Sequence, residues 1–198
     1  MTPPRRVYLA GPDVFRPDAA ACYARMQHRC ETLGLVGLRP SDGGPPAGVA
    51  GSGAALAQRI YEGNLALIRR CDAVVANLQP FRGAVEPDSG TVFEVGVAIA
   101  LGKPVAGYLP QSRLSYAERV GRCFATHTDA GGTLWDDTHG LWVEGFGEPL
   151  NLMLSRAAPL FDSFDEALAH LAHVLAPAVP QHPHTPSLQP AAGPAPTP

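Results

Sequence analysis

The chain has 198 residues, 45% of them hydrophobic and 17% charged, with a formal net charge of −3. That length can bury a core of ordinary size and favours one domain. Scattered lysines and arginines exclude a basic groove for nucleic acid, and no apolar run approaches the roughly 20 residues that a bilayer-spanning helix needs.

The first twelve residues enter a short apolar run without the apolar region and small-residue cleavage site of a secretory signal, so a cytoplasmic protein is expected. Cys22, Cys30, Cys71 and Cys123 form no C-x-x-C pair, and free thiols are expected of them. Val7–Gly11 (VYLAG) is closed by Gly-Pro and reads as a buried strand. Asp18–Leu33 has helical spacing of its apolar residues, and Leu35–Pro40 reads as a second strand. Ser41–Gly53 (SDGGPPAGVAGSG) is a Gly/Pro-rich loop, either a lid over a site or a disordered insertion. Ala54–Cys71 is helical and sets Ile60, Asn64, Leu67, Ile68 and Cys71 on one side, which turns Asn64 inward. Asp72–Leu78 (DAVVANL) is apolar on both faces, as strands of a parallel sheet are. The loop Gln79–Ser89 leads into an apolar helix that ends at Gly102.

Pro104–Leu109 is a fourth strand and Ser112–Cys123 a helix. Ala130–Pro149 reads as irregular, and Pro149–Ala157 and Phe164–Leu175 as the last helices. This alternation predicts an α/β fold, a doubly wound parallel sheet flanked by helices. From Ala176 the composition breaks: eight of the last 23 residues are Pro and none is charged. Residues 1–176 are therefore expected to form a single domain, and 177–198 a disordered Pro-rich tail.

In open α/β sheets, ligands bind outside the carboxyl ends of the strands. Tyr8–Asp13, Asn77–Asp88 and the start of the helix Thr91–Leu101 all fall at such ends. Along that helix every residue is apolar, small or Gly except Glu94. An inward carboxylate is costly unless paired or hydrogen-bonded. Near a helix N-terminus its ionised form is favoured, which suits a nucleophile. The plainer reading is a glutamate facing solvent or paired with arginine. Asp88 either caps the helix or forms with Glu94 the carboxylate pair of a retaining glycosyl transfer, one nucleophile and one acid. The Tyr8 phenol either holds a carboxylate in place or packs in the core with its hydroxyl on the backbone. Gly11 and Gly90 permit close approach of a ligand to the backbone. No G-x-G-x-x-G or Walker loop is present, so no dinucleotide or ATP site is indicated. The seven histidines, His170 and His173 among them, show no metal-ligand spacing, and no metal is expected.

Four stretches carry a resemblance: Val7–Phe15 (VYLAGPDVF), Cys71–Gly83 (CDAVVANLQPFRG), Glu86–Val105 (EPDSGTVFEVGVAIALGKPV) and Glu148–Leu154 (EPLNLML). Together they resemble the nucleoside 2-deoxyribosyltransferase family. The resemblance implies a flavodoxin-like (Rossmann-like) sheet, assembled as a homodimer or higher homo-oligomer. It implies transfer of 2-deoxyribose between deoxynucleosides and free nucleobases, with no cofactor. Glu94 matches the nucleophile, Asp88 the acid that assists departure of the base, and Tyr8 the residue that orients the nucleophile. Asn151 matches an asparagine given by a neighbouring subunit to the sugar hydroxyls, and Phe15 the aromatic that packs on the base. Asn64 stands near the base where some members carry Asp, and Gly145 where related chains often have an acid, which predicts a missing contact there. Ser89 and Gly90 accompany Asp88 in the matched motif.

Two other functions share these residues or compete with them. A hydrolase would let water resolve the same ester, on a deoxynucleoside or a 5′-monophosphate, with Ser89, Arg16 and Arg82 available to a phosphate. A noncatalytic nucleotide-binding or scaffold protein would use the Pro-rich tail for its partners.

Overall fold

The structure is a computed structural model that describes residues 3–40, 53–83 and 85–176. Residues 41–52 of the Ser41–Gly53 loop, read as a lid or a disordered insertion, and the tail 177–198 lie outside the described residues. The elements in chain order are β1 (Arg5–Ala10), a 3-10 turn (Pro12–Phe15), α1 (Ala19–Thr32), β2 (Leu35–Leu38), α2 (Ala54–Arg70), β3 (Ala73–Asn77), α3 (Ser89–Ala100) and β4 (Val105–Tyr108). They continue with α4 (Tyr116–Cys123), β5 (Thr126–Thr128), β6 (Leu134–Asp136), β7 (Leu141–Trp142), α5 (Leu152–Ala157), β8 (Leu160–Phe161) and α6 (Phe164–Leu175).

Five strands pair in parallel in the order β2-β1-β3-β4-β8. This is the flavodoxin-like order, and its switch point lies between β1 and β3. The two-residue pleat explains the layers. Val7 and Leu9 of β1 pack with Tyr23, Met26 and Cys30 of α1 and with Leu168 and Leu171 of α6. Tyr8 and Ala10 face the opposite way, into the cluster of Leu67 and Ile68 of α2, Val95 and Ala98 of α3 and Leu154 of α5. β3 repeats the pattern, with Ala73 and Val75 on one face and Val74 and Ala76 on the other. The centre of the sheet is therefore buried on both sides, which is why β1 beyond Arg6, β3 before Asn77 and β4 are apolar.

Four features depart from the sequence reading. The stretch read as irregular contains a three-stranded antiparallel sheet, β5-β6-β7. Its strands have only two or three residues, too few for alternation to show. Their turn is held by Asp129, which accepts from the backbone N–H of Gly131 and Thr133 and from the Trp135 indole. Strand β8, two residues long, was not foreseen for the same reason. The helix expected from Ser112 starts at Tyr116, because Ser115 and Glu118 close a reciprocal capping box. Finally, α3 is not apolar because it is wholly buried: Phe93, Ile99 and Leu101 are 51%, 40% and 47% exposed.

Candidate active site

The pleat that turns Tyr8 toward α2 and α3 also places its hydroxyl. The residue is fully buried, and its phenol donates to Glu94 Oε1 at 2.6 Å. Asn64, three residues before Leu67 on the inward side of α2, donates from Nδ2 to the same oxygen at 3.4 Å. Both donors converge on Oε1, and no hydrogen bond reaches Oε2 among the described residues. Glu94 is half-buried, and no arginine pairs with it among the described residues. Asp88 is the N-cap of α3: its Oδ2 accepts from the backbone N–H and the hydroxyl of Thr91, both at 2.9 Å. Capping leaves Oδ1 available, so the two readings of Asp88 are compatible.

The electrostatics of Glu94 correct one expectation. Its pKa is pushed up to about 7, chiefly by burial; the Tyr8 hydrogen bond opposes the rise, the nearby Asp88 adds to it, and Asn64 opposes it weakly. A helix N-terminus acts mainly within its first turn, and Glu94 stands in the second turn of α3. Desolvation therefore wins over the dipole. Burial, then Glu94 itself, pushes the Tyr8 phenol far above its ordinary range, so it remains a donor.

Glu94, Asp88, Asn64, Gly11, Phe15 and Gly90 line one cavity of about 430 Å³, with Val14, Pro40, Ile60 and Thr91. Ile60, placed by helical spacing with the core residues, is 44% exposed and walls this cavity instead. Phe15 is 61% exposed and stands against Phe81, with the Arg82 guanidinium over both rings at 5.3 and 4.8 Å. Arg16 is engaged with Asp18 at 2.8 Å. At Gly11 a Cβ would lie 2.8 Å from Asn77 Cβ and 2.9 Å from Asp13 Oδ2, so no larger residue fits. Asp13 was not singled out from the sequence. It is 7% exposed and accepts from Asn77 Nδ2 at 2.9 Å, which ties the Pro12–Phe15 turn to the end of β3 across the switch point. The signal was available: Asn77 ends one apolar strand, and Asp13 follows another after Gly11 and Pro12.

Ser89 and Asn151 are not in this cavity. They line a second one, of about 630 Å³, walled by Val92, Val95 and Ile99 of α3 and by Met153, Leu154 and Ala157. Asn151 caps α5, accepting from the backbone N–H of Met153 at 3.0 Å. Its Nδ2 donates to Glu144 Oε1 at 2.7 Å. The carboxylate next to Gly145 thus supplies a contact to Asn151.

The fold is of the α/β class, a five-stranded parallel sheet with two carboxylates and a buried phenol gathered around one cavity. The model of the nucleoside 2-deoxyribosyltransferase family matches residues 7–153, and the chain belongs to that enzyme family. It is 38% identical to a solved 2-desoxiribosyltransferase from Leishmania mexicana, with a TM-score of 0.67 over 86% of this chain and 98% of that one. An uncharacterized protein of Schizosaccharomyces pombe is 35% identical over 157 residues, 74% of each chain. A conserved protein from Enterococcus faecalis V583, 19% identical with a TM-score of 0.56, covers 87% of this chain and 99% of its own and shares the fold.

Proposed function

We propose that the chain is a nucleoside 2-deoxyribosyltransferase that moves 2-deoxyribose between nucleobases through an ester on Glu94. The observation that carries this reading is the state of that carboxylate. It is withdrawn from water, anchored through one oxygen by Tyr8 and Asn64, and shares a cavity with Asp88.

In the first step the N-glycosidic bond breaks and its electron pair leaves with the base, which takes a proton from Asp88. Glu94 Oε2 bonds to C1′ as the oxocarbenium-like charge develops. In the second step a nitrogen of the incoming base bonds to C1′, the ester C–O bond breaks, and the base's proton returns to Asp88. Two inversions retain configuration. The proton and the sugar acceptor both come from groups already named, so the cycle calls for no cofactor.

The cavity wall supports base recognition. Asn64 lines the cavity, and its Oδ1 is buried without a partner among the described residues, which supports an acceptor role toward an N–H of the base. The exposed ring of Phe15 offers a stacking face. Asn151 stands outside the Glu94 cavity of its own chain. Exposed Phe93, Ile99, Leu101 and Met153 give the α3 and α5 side an apolar surface of the kind a second copy covers. Both observations support a homodimer or higher oligomer in which Asn151 reaches the neighbouring sugar.

The test is a deoxynucleoside incubated with and without a second free base, followed by chromatography. A new nucleoside supports transfer. Free sugar alone, even with the second base present, replaces the reading with hydrolysis through the same Glu94. No turnover of purine or pyrimidine deoxynucleosides or of their 5′-monophosphates leaves a noncatalytic binding protein.

A further inference from the structure

We infer that Glu144 is a positioning residue, holding Asn151 in the orientation in which its amide meets the sugar bound by a second copy. This rests on the reading that Asn151 completes a neighbouring site.

Glu144 lies just beyond β7, and both of its oxygens are directed at the start of α5. Oε1 accepts from Asn151 Nδ2 at 2.7 Å, and Oε2 accepts from the Leu152 backbone N–H at 2.9 Å. Asn151 Oδ1 accepts from the Met153 backbone N–H at 3.0 Å. These bonds also assign the amide: a carboxylate requires the nitrogen, and a backbone N–H requires the oxygen. Capping α5 uses only Oδ1, so the bond from Nδ2 to Glu144 does something the cap does not need. It fixes the rotation of the amide plane.

What remains on Asn151 is one N–H and one lone pair of Oδ1. A hydroxyl both donates and accepts, and this remaining pair matches it. The negative charge of Glu144, held against Nδ2, also polarises the amide, which makes Oδ1 a better acceptor. Without Glu144 the cap can persist while the amide swings, and misplacing a substrate-holding group by about 1 Å costs on the order of a hundredfold in rate.

The test uses hybrids made by co-expressing two variants with different affinity tags and purifying through both. E94A, N151A and E144A are each expected to lose most of the kcat/KM for base exchange. In the E94A and N151A hybrid, one subunit supplies Glu94 and the other Asn151, so activity is expected to return. In the E94A and E144A hybrid it should return as well, because the E94A subunit carries an intact Glu144–Asn151 pair. E144Q keeps an oxygen for Nδ2 but sets a donor against the Leu152 N–H, so it is expected to recover part of the rate that E144A loses, at a thermal midpoint no higher than that of E144A.

Rescue with N151A but not with E144A overturns the role of Glu144 and leaves the shared site standing. Wild-type kcat/KM in E144A overturns it too, as does an E144A loss that follows the thermal midpoint rather than E144Q rescue. No rescue with N151A removes the shared site and this inference together. Should E144A not fold, E144S takes its place in the same hybrids.

Discussion

Glu94 is the residue on which the chemistry and the stability of the fold pull in opposite directions. The proposed attack on C1′ needs the carboxylate, while burial favours the acid and is the main cause that pushes the pKa up to about 7. The kcat/KM for exchange should therefore fall about tenfold per unit of pH below that value. Tyr8→Phe removes a donor that lowers this pKa, so the acid limb of the same profile should move to higher pH; an unmoved limb would contradict the role given to Tyr8. Stability carries the same signature. An unfolded glutamate titrates near 4.5, and the folded value is raised. The stabilising effect of the bound proton is complete below about pH 4.5 and is lost as pH rises through about 7. Glu94→Gln keeps an acceptor for Tyr8 and Asn64 without a charge to bury. It should unfold at a higher temperature than the parent at about pH 8, by a free energy of at most about 3 kcal/mol, and the gap should close near pH 5. An equal gap at both pH values would mean that Glu94 is not desolvated.

At the scale of elements, Asp88 caps α3 and, in the proposed function, is also the acid. Asp88→Ala should cost about 1 kcal/mol of stability through the lost cap and should also abolish exchange. Asp88→Asn keeps the acceptor for Thr91 but has no proton to give, so thermal unfolding should be near normal while exchange is lost. Activity in Asp88→Asn would remove the acid role and leave only the cap. The Pro12–Phe15 turn is fixed from beneath by Asp13 and Asn77, with Gly11 at the crossing. Gly11→Ala should displace the turn and Phe15 with it, raising KM and destabilising the fold by about 1–3 kcal/mol. Unchanged KM would show that the turn does not shape the cavity.

For the molecule as a whole, the order of strands and helices was legible because long apolar runs and amphipathic helices repeat on a readable period. The small β5-β6-β7 sheet was not: its order comes from Asp129 gathering three donors, a tertiary fact without periodicity. In the site, Glu94 stood out because it breaks an apolar helix, and its tie to Tyr8 was foreseen in kind. Its pKa direction was misread, since the helix dipole is visible in a sequence and desolvation is not. Asp13 stood in the Tyr8–Asp13 stretch but was not singled out, because its partner Asn77 is 64 residues on; Glu144 was not, because nothing in the sequence marks its carboxylate as the partner of Asn151. The described fold closes with α6 on the sheet, before the Pro-rich tail. Removing residues 177–198 should leave exchange kinetics unchanged; a large loss would make the tail part of the working enzyme.

The central claim is a covalent bond between Glu94 and a sugar carbon. A deoxynucleoside analogue with fluorine at C2′ destabilises the cation and slows breakdown of the ester, so the adduct should accumulate. Mass spectrometry of the intact protein, followed by peptide mapping, should find the fluorosugar on Glu94 in the parent chain and no adduct in Glu94→Ala. Release of the base with no adduct, or with the sugar attached to another residue, would contradict the account.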